Sequence, residues 1–331
     1  MGPVRSAFPE GAPCWADVRL PDVEAGKRFY GDLFGWTFDE GAGAERGYYT
    51  AAYSEDRAVS ALEPLVPSPS APRRLARTLA APGVRPSTSS TSPCTRHAES
   101  THQTPRGRPS GDEGDGTRGS SPVLGATGPA WTVHFAVRDA YATAARVARS
   151  GGRIVSGPLS VGTAATMALV TDRDGGMFGL WQAGSDLGFE VTGEPGAFCW
   201  SELRVRDTVR ADTFYESVFG YAAVDTEDAG DGLRLWAPAG SVPGPRTAVA
   251  GRRTAAVGPP TGRFLVHFGT AGLDATVADA VRLGGAVRVA AHPTAYGRVA
   301  VLADDQGALF AVRETDREEP RAASRARRGG V

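Results

Sequence analysis

The sequence predicts an α+β protein built from four βαβββ units paired into two half-barrel cups, and three observations carry that expectation. First, Cys14-Trp15-Ala16-Asp17-Val18-Arg19-Leu20-Pro21-Asp22 continues to Phe29-Tyr30 and Phe34-Gly35, and the pattern returns 185 positions later without a gap. The second copy reads Cys199-Trp200-Ser201-Glu202-Leu203-Arg204-Val205-Arg206-Asp207, then Phe214-Tyr215 and Phe219-Gly220. The chain is therefore an internal duplication. Second, His134-Phe135 and Gly151-Gly152 recur as His267-Phe268 and Gly284-Gly285 at an offset of 133. Third, each recurring segment alternates apolar and polar residues and then switches to a helical period.

In order along the chain, the first unit opens with a strand from Cys14 toward Asp22, followed by a helix that stops at Gly35 in a left-handed residue. Strands follow over Trp36–Glu40, Tyr48–Ser54 and Arg57–Leu65, punctuated by Gly41, Gly43, Gly47 and Asp56. From residue 66 to 128 Pro, Ser, Thr, Arg and Gly dominate, and the apolar content is too low to offset the entropy of ordering, so this insert is expected to be disordered. The second unit comprises a strand over Trp131–Val137, an Ala-rich helix over Asp139–Arg149, and strands over Arg153–Ser156, Ala165–Thr171 and Met177–Gln182.

The second half repeats the order. A strand over Phe198–Arg206 leads to a helix ending at Phe219, then strands over Tyr221–Thr226, Leu233–Ala237 and Thr247–Gly251. The fourth unit has a strand over Arg263–Phe268, a helix over Leu273–Leu283, and strands over Ala286–Ala290, Arg298–Ala303 and Leu309–Arg313. The two offsets differ by 52, which the insert explains. The expected organisation is a first domain from 1–65 with 129–185, the insert at 66–128, a second domain at 194–314, and a disordered tail at 315–331. A single unit of about 55 residues cannot bury a core alone, so units must combine in pairs, giving two cups.

Composition narrows the function. In 331 residues of net charge −1 there is no basic excess to attract nucleic acid or an anionic membrane. Lysine occurs once, at Lys27, which carries no mechanistic weight. Cys14, Cys94 and Cys199 form neither a disulfide framework nor a Cys-rich zinc site. The first 13 residues lack the apolar core of a signal peptide, and no run reaches the roughly 20 apolar residues of a membrane span. A cytoplasmic protein, monomeric or homodimeric and acting on a small molecule, is expected.

The four units, each opening with an alternating strand and then a helix, with Asp-x₆-Phe-Tyr-x₃-Phe-Gly in both copies of the duplication, resemble the vicinal oxygen chelate superfamily of glyoxalase I, bleomycin-resistance proteins and extradiol dioxygenases. The turns Asp172–Gly175 and Asp304–Gly307 match the family's approach to its last strand. The resemblance implies a tandem, glyoxalase-like protein whose cups hold a divalent metal, bound by His or Gln on the first strand, Glu on the fourth, His on the fifth and Glu on the eighth. This chain departs from that pattern. Strand register places Trp15 and Trp200 in the first position, Thr132 in the third, and Gly179 and Ala311 in the fourth, none of which binds a transition metal. Only Glu63 suits the second position, and its counterpart is near Arg253. No metal cofactor is expected.

What remains are Asp17 and His134 in one cup and Glu202 and His267 in the other, each on the cavity side of a strand by its two-residue step. A carboxylate–imidazole pair serves as acid and base near neutral pH, or else is a hydrogen-bonded polar fixture. Trp15, Trp181, Trp200 and Trp236 are candidate aromatic walls, the other reading being core. His97 and His102 fall in the insert, and His292 precedes Pro293 in an expected loop. The reading is a glyoxalase/bleomycin-resistance-like protein that binds a small organic molecule without the metal. Two alternatives stay open: a metal-dependent lyase or dioxygenase using a shifted Glu63, Asp17 and His134 site, and a resistance protein that sequesters a drug without turnover.

Overall fold

The computed structural model describes residues 8–39, 49–65, 128–225, 232–254, 263–294 and 296–315. The insert and the tail expected to be disordered lie outside the described residues, at 66–127 and 316–331. The first half comprises β1 (Pro13–Leu20), α1 (Val23–Phe34), β2 (Thr37–Phe38), β3 (Thr50–Ser54) and β4 (Arg57–Pro64), then β5 (Ala130–Ala136), α2 (Ala140–Arg149), β6 (Arg153–Val161), β7 (Ala165–Thr171) and β8 (Met177–Ala183). The second half has β9 (Phe198–Val205), α3 (Thr208–Phe219), β10 (Ala222–Asp225), β11 (Arg234–Ala237) and β12 (Ala250–Thr254). It continues with β13 (Phe264–Thr270), α4 (Leu273–Arg282), β14 (Ala286–Thr294), β15 (Gly297–Ala303) and β16 (Leu309–Glu314).

Each half forms one eight-stranded mixed sheet, ordered β2-β3-β4-β1-β5-β8-β7-β6 and β10-β11-β12-β9-β13-β16-β15-β14. The two units of a half meet through their opening strands, β1 antiparallel to β5 and β9 antiparallel to β13. Two units are thereby fused into one curled sheet, as the small size of a single unit requires.

The helix boundaries follow the local chemistry. Asp22 and Asp207 cap α1 and α3 by accepting from Ala25 N and Arg210 N at 2.9 Å, so a carboxylate meets the exposed amides of each first turn. Gly35 and Gly220 end these helices at φ 73° and 70°, where a side chain would be strained.

The core lies between the two sheets. Trp131 of β5 meets Phe268 of β13 at 5.0 Å between ring centroids, and Phe135 meets Phe264 at the same distance. The Phe-Tyr pairs of the duplicated motif reach across this junction. Tyr30 on α1 donates to Asp304 Oδ2 at 2.8 Å, and Tyr215 on α3 donates to Asp172 Oδ2 at 3.1 Å. The other oxygens of those two aspartates accept backbone N–H groups of their own turns, from Asp174 and Gly176 and from Gln306 and Ala308. Each half therefore fastens the last turn of the other.

Three expectations are corrected. β6 and β14 run through Pro158 and Pro293 instead of stopping before them, because both strands form outer edges where a missing N–H breaks no ladder. His292 consequently sits on a strand and not in a loop. β12 starts at Ala250, three residues later than expected from the sequence. No described helix is long and apolar enough to cross a membrane.

Candidate functional site

Alternation on the opening strands sends Trp15, Asp17 and Arg19 to one face of β1 while Ala16, Val18 and Leu20 enter the core at zero exposure. Ala61 and Glu63 of β4 stand beside Asp17 and Arg19 in the ladder. Across the other edge, Trp15 faces His134 and Asp17 faces Thr132. The duplicated strands put Gly251 beside Glu202, Arg253 beside Arg204, and His267 beside Trp200. Arg253 thus occupies the place of Glu63.

In the first cup Trp15, Asp17, Thr132 and His134 are buried, while Arg19 and Glu63 are half-buried. His134 Nε2 lies 2.8 Å from Asp17 Oδ2, and among the described residues His134 Nδ1 has no partner. The ring rests on Gly179, where an added Cβ would fall 1.9 Å from Nδ1, so only glycine admits the imidazole in this pose. Arg19 Nε donates to Glu63 Oε1 at 2.5 Å. Burial, with the Asp17 charge second, still pushes the Glu63 carboxyl above its ordinary range, against the pull of Arg19. Trp15 donates to Tyr49 Oη at 2.5 Å and packs 5.5 Å from Phe189 of the segment joining the halves. Trp181 stands edge-on to His134 at 6.1 Å and packs with Cys14, Ala136 and Ala165.

The second cup encloses a cavity of about 290 Å³. Trp200, Glu202, Arg204, Arg253, His267 and Arg313 line it, with Leu233, Leu235 and Val299 as apolar wall. Glu202 Oε1 accepts from Arg253 Nε at 3.0 Å. With that carboxylate engaged, His267 is 5% exposed and both of its ring nitrogens lack a partner among the described residues. Burial, then the charges of Arg313 and Arg253, push its imidazole down to about 3, so it is neutral at physiological pH. Its ladder neighbour is Ala311, at the register position that Gly179 holds beside His134. Buried Arg313 Nε is also without a partner there, although Nη2 lies 3.5 Å from the Cys199 carbonyl. Burial pushes the Cys199 thiol up to about 11, so it is not a thiolate.

Of the residues singled out in the sequence, Asp17 and His134 are brought together, Glu202 and His267 share a cavity without bonding, and Trp200 lines that cavity. Trp15 is 4% exposed within the main core cluster, and Trp181 joins a small apolar cluster at the rim of the first cup. Trp236 is corrected outright. It is fully buried on the opposite face of its sheet, donating to Asp212, tilted 4.8 Å from Tyr215 and stacked 5.7 Å from Tyr221. Sequence reasoning missed Arg204, Arg313 and His292 as cavity-lining groups. Parity from Glu202 along β9 would have found Arg204.

The donor sets do not fit the divalent metal of related proteins. In the first cup Glu63 is held by Arg19, and His134 is turned to Asp17 with its free nitrogen against Gly179. In the second cup Glu202 is held by Arg253, and Arg204 and Arg313 also line the cavity with His267. Among the described residues no group of three His, Cys, Asp or Glu is arranged to hold a metal ion.

Comparison with known proteins agrees with the paired sheets. A family model described as the Glyoxalase/Bleomycin resistance protein/Dioxygenase superfamily matches residues 15–180, and one described as Glyoxalase-like domain matches 200–313. The chain belongs to the glyoxalase/bleomycin resistance protein/dioxygenase superfamily. It is 34% identical to the anthracycline biosynthesis protein DauV of Streptomyces sp. (strain C5), over 96% of this chain and 98% of that one. It is 29% identical to CFP32 of Mycobacterium tuberculosis (strain CDC 1551 / Oshkosh), over 94% and 97%. Among solved structures, the Mn(II)-bound glyoxalase from Novosphingobium aromaticivorans superposes with a TM-score of 0.52 at 12% identity, covering 93% of this superfamily member and 83% of that chain. The 2,3-dioxygenase LapB from Pseudomonas sp. KL28 gives 0.50 at 12% identity, covering 95% and 96%. At such identities these two likenesses concern the fold.

Proposed function

We propose that this superfamily member is a small-molecule binding protein that works without the family metal, with the second cup as its ligand site. The observation that carries the reading is the cavity of about 290 Å³, whose buried polar groups are left unpartnered among the described residues. Binding pockets combine an apolar lining with a few convergent polar groups, and this volume lies near the lower end of their usual span of about 300–1,000 Å³. The first cup serves as a packed counterpart, with Asp17 and His134 as a hydrogen-bonded fixture. The relative DauV, an anthracycline biosynthesis protein, makes anthracyclines the first compounds to test.

Equilibrium dialysis against an anthracycline, with mass spectrometry of the recovered compound, tests the reading. Saturable binding with the compound recovered unchanged fits sequestration, whereas turnover makes the protein an enzyme. Purified without chelator, the protein should carry less than about a tenth of an equivalent of Zn, Fe, Ni or Mn, and EDTA should leave its melting temperature unchanged, because a ligand that is not bound contributes no linkage. Stoichiometric metal that disappears in His134→Ala would overturn the reading in favour of a shifted metal site.

A further inference from the structure

We infer that the second cup selects an aromatic acid, with the ligand carboxylate seated between His267 and Arg313 and its ring against Trp200. The inference rests on the second cup being the ligand site and adds the chemical class that the site accepts.

Charge carries the first step. Among the described residues, Arg204, Arg253 and Arg313 line the cavity against a single carboxylate, Glu202, which Arg253 holds at 3.0 Å. Neither Arg204 nor Arg313 forms an ion pair with any described residue. A guanidinium cannot shed its proton to escape burial, so the described lining carries an excess of positive charge that an anion relieves. The unsatisfied atoms carry the second step. Neutral His267 offers one N–H, Arg313 Nε offers another, and both groups are buried on adjacent strands, His267 being paired in the ladder with Ala311, two residues before Arg313. Two donors at one cavity wall can serve the two oxygens of a carboxylate, and charge-assisted hydrogen bonds of this kind are the stronger ones. Shape carries the third step. Trp200, Leu233, Leu235 and Val299 give the remaining wall an apolar surface with one indole, suited to a flat ring. His292 and Tyr296 stand at the same cavity and are further polar groups within it.

Calorimetric titration of the full chain with 2-naphthoate and with its neutral analogue 2-naphthamide is the test. The expected result is saturable naphthoate binding about tenfold or more tighter than naphthamide, a preference that Arg313→Gln removes. Arg204→Gln, a milder change at the same wall, should narrow it, while Arg282→Gln on the exposed face of α4 should leave it intact. Thermal melts establish that each variant is folded, and Arg204→Gln decides the matter if Arg313→Gln is not. Equal affinity for acid and amide would overturn the anion preference while leaving a ligand site in the second cup. Binding of neither probe, alongside anthracycline binding, would likewise overturn the inference alone. Binding of no compound at all would remove the ligand-site reading with it.

Discussion

Glu63 and Arg253 occupy the same place on the fourth strand of each half, and exchanging a carboxylate for a guanidinium rearranges every charge around the neighbouring histidine. In the first cup Glu63 takes Arg19, leaving Asp17 free to bond His134. In the second, Arg253 takes Glu202, and His267 is left without a carboxylate. A second exchange acts with the first. Gly179 lets the His134 ring lie down on its strand, whereas Ala311 puts a methyl at the register position beside His267. Two substitutions in a duplicated frame thus separate a cluster of mutually bonded polar side chains from a cavity whose donors await an acceptor. Duplication relaxes the requirement that both cups keep one chemistry, and here Trp15, Asp17 and His134 are buried in one cup while a cavity opens beside Trp200 and Glu202 in the other.

The largest expected difference between the cups lies in their opening tryptophans. Trp15→Ala should cost about 3–5 kcal/mol, the range for truncating a packed aromatic, because Trp15 is buried against Phe189 and hydrogen-bonded to Tyr49. Trp200→Ala should cost about 1 kcal/mol or less, since Trp200 retains exposure at the cavity wall. Chemical denaturation of both variants measures the gap. Equal losses would mean that the second cup is as packed as the first.

The glycine exchange comes next. Gly179→Ala should destabilise by about 1–3 kcal/mol, as overpacking does, because the new methyl collides with an imidazole that cannot move without leaving Asp17. The reciprocal Ala311→Gly should cost only about 0.5–1 kcal/mol, mainly through backbone entropy. A tolerated Gly179→Ala, judged by its denaturation midpoint, would show that the His134 pose is soft and would weaken the contrast drawn between the cups.

Much of this frame was legible in the sequence. Asp22 and Gly35 bracket a helix at a spacing their copies Asp207 and Gly220 repeat, and a cap acts within one turn, where sequence distance equals spatial distance. The carboxylate–histidine pairing was legible for Asp17 and His134 because two-residue parity fixes the face of a strand. The same parity argument failed to foresee that Arg253 would capture Glu202, since it predicts which face a side chain occupies and not which neighbour it chooses. Trp236 was misplaced because β11 is only four residues long and has no alternation strong enough to set its register. The Phe-Tyr motif was visible, yet its partner aspartates lie 274 residues away for Tyr30 and 43 for Tyr215, a pairing that only the assembled core reveals.

A pH profile isolates His267. In the folded protein burial and two guanidiniums push His267 down to about 3, while in the unfolded chain it returns toward its ordinary value near 6.5. Between those values the unfolded state binds a proton that the folded state refuses, so the contribution of neutral His267 is fully present above about pH 6.5 and is lost as pH falls toward 3. The raised Glu63 carboxyl tilts the profile in the opposite sense, with stability falling as pH rises through its titration, so wild type alone is not diagnostic. The difference between wild type and His267→Gln cancels that common part. From pH 7 to 5.5 the stability of wild type should drop relative to the variant by about 1.2 kcal/mol, the linkage expected of one imidazole held neutral over that interval. Saturating 2-naphthoate should shrink this drop, because a carboxylate beside His267 makes the protonated ring tolerable in the folded state. Parallel pH profiles for the two proteins would mean that His267 titrates normally, and that the second cup is wetter and less charged than its geometry indicates.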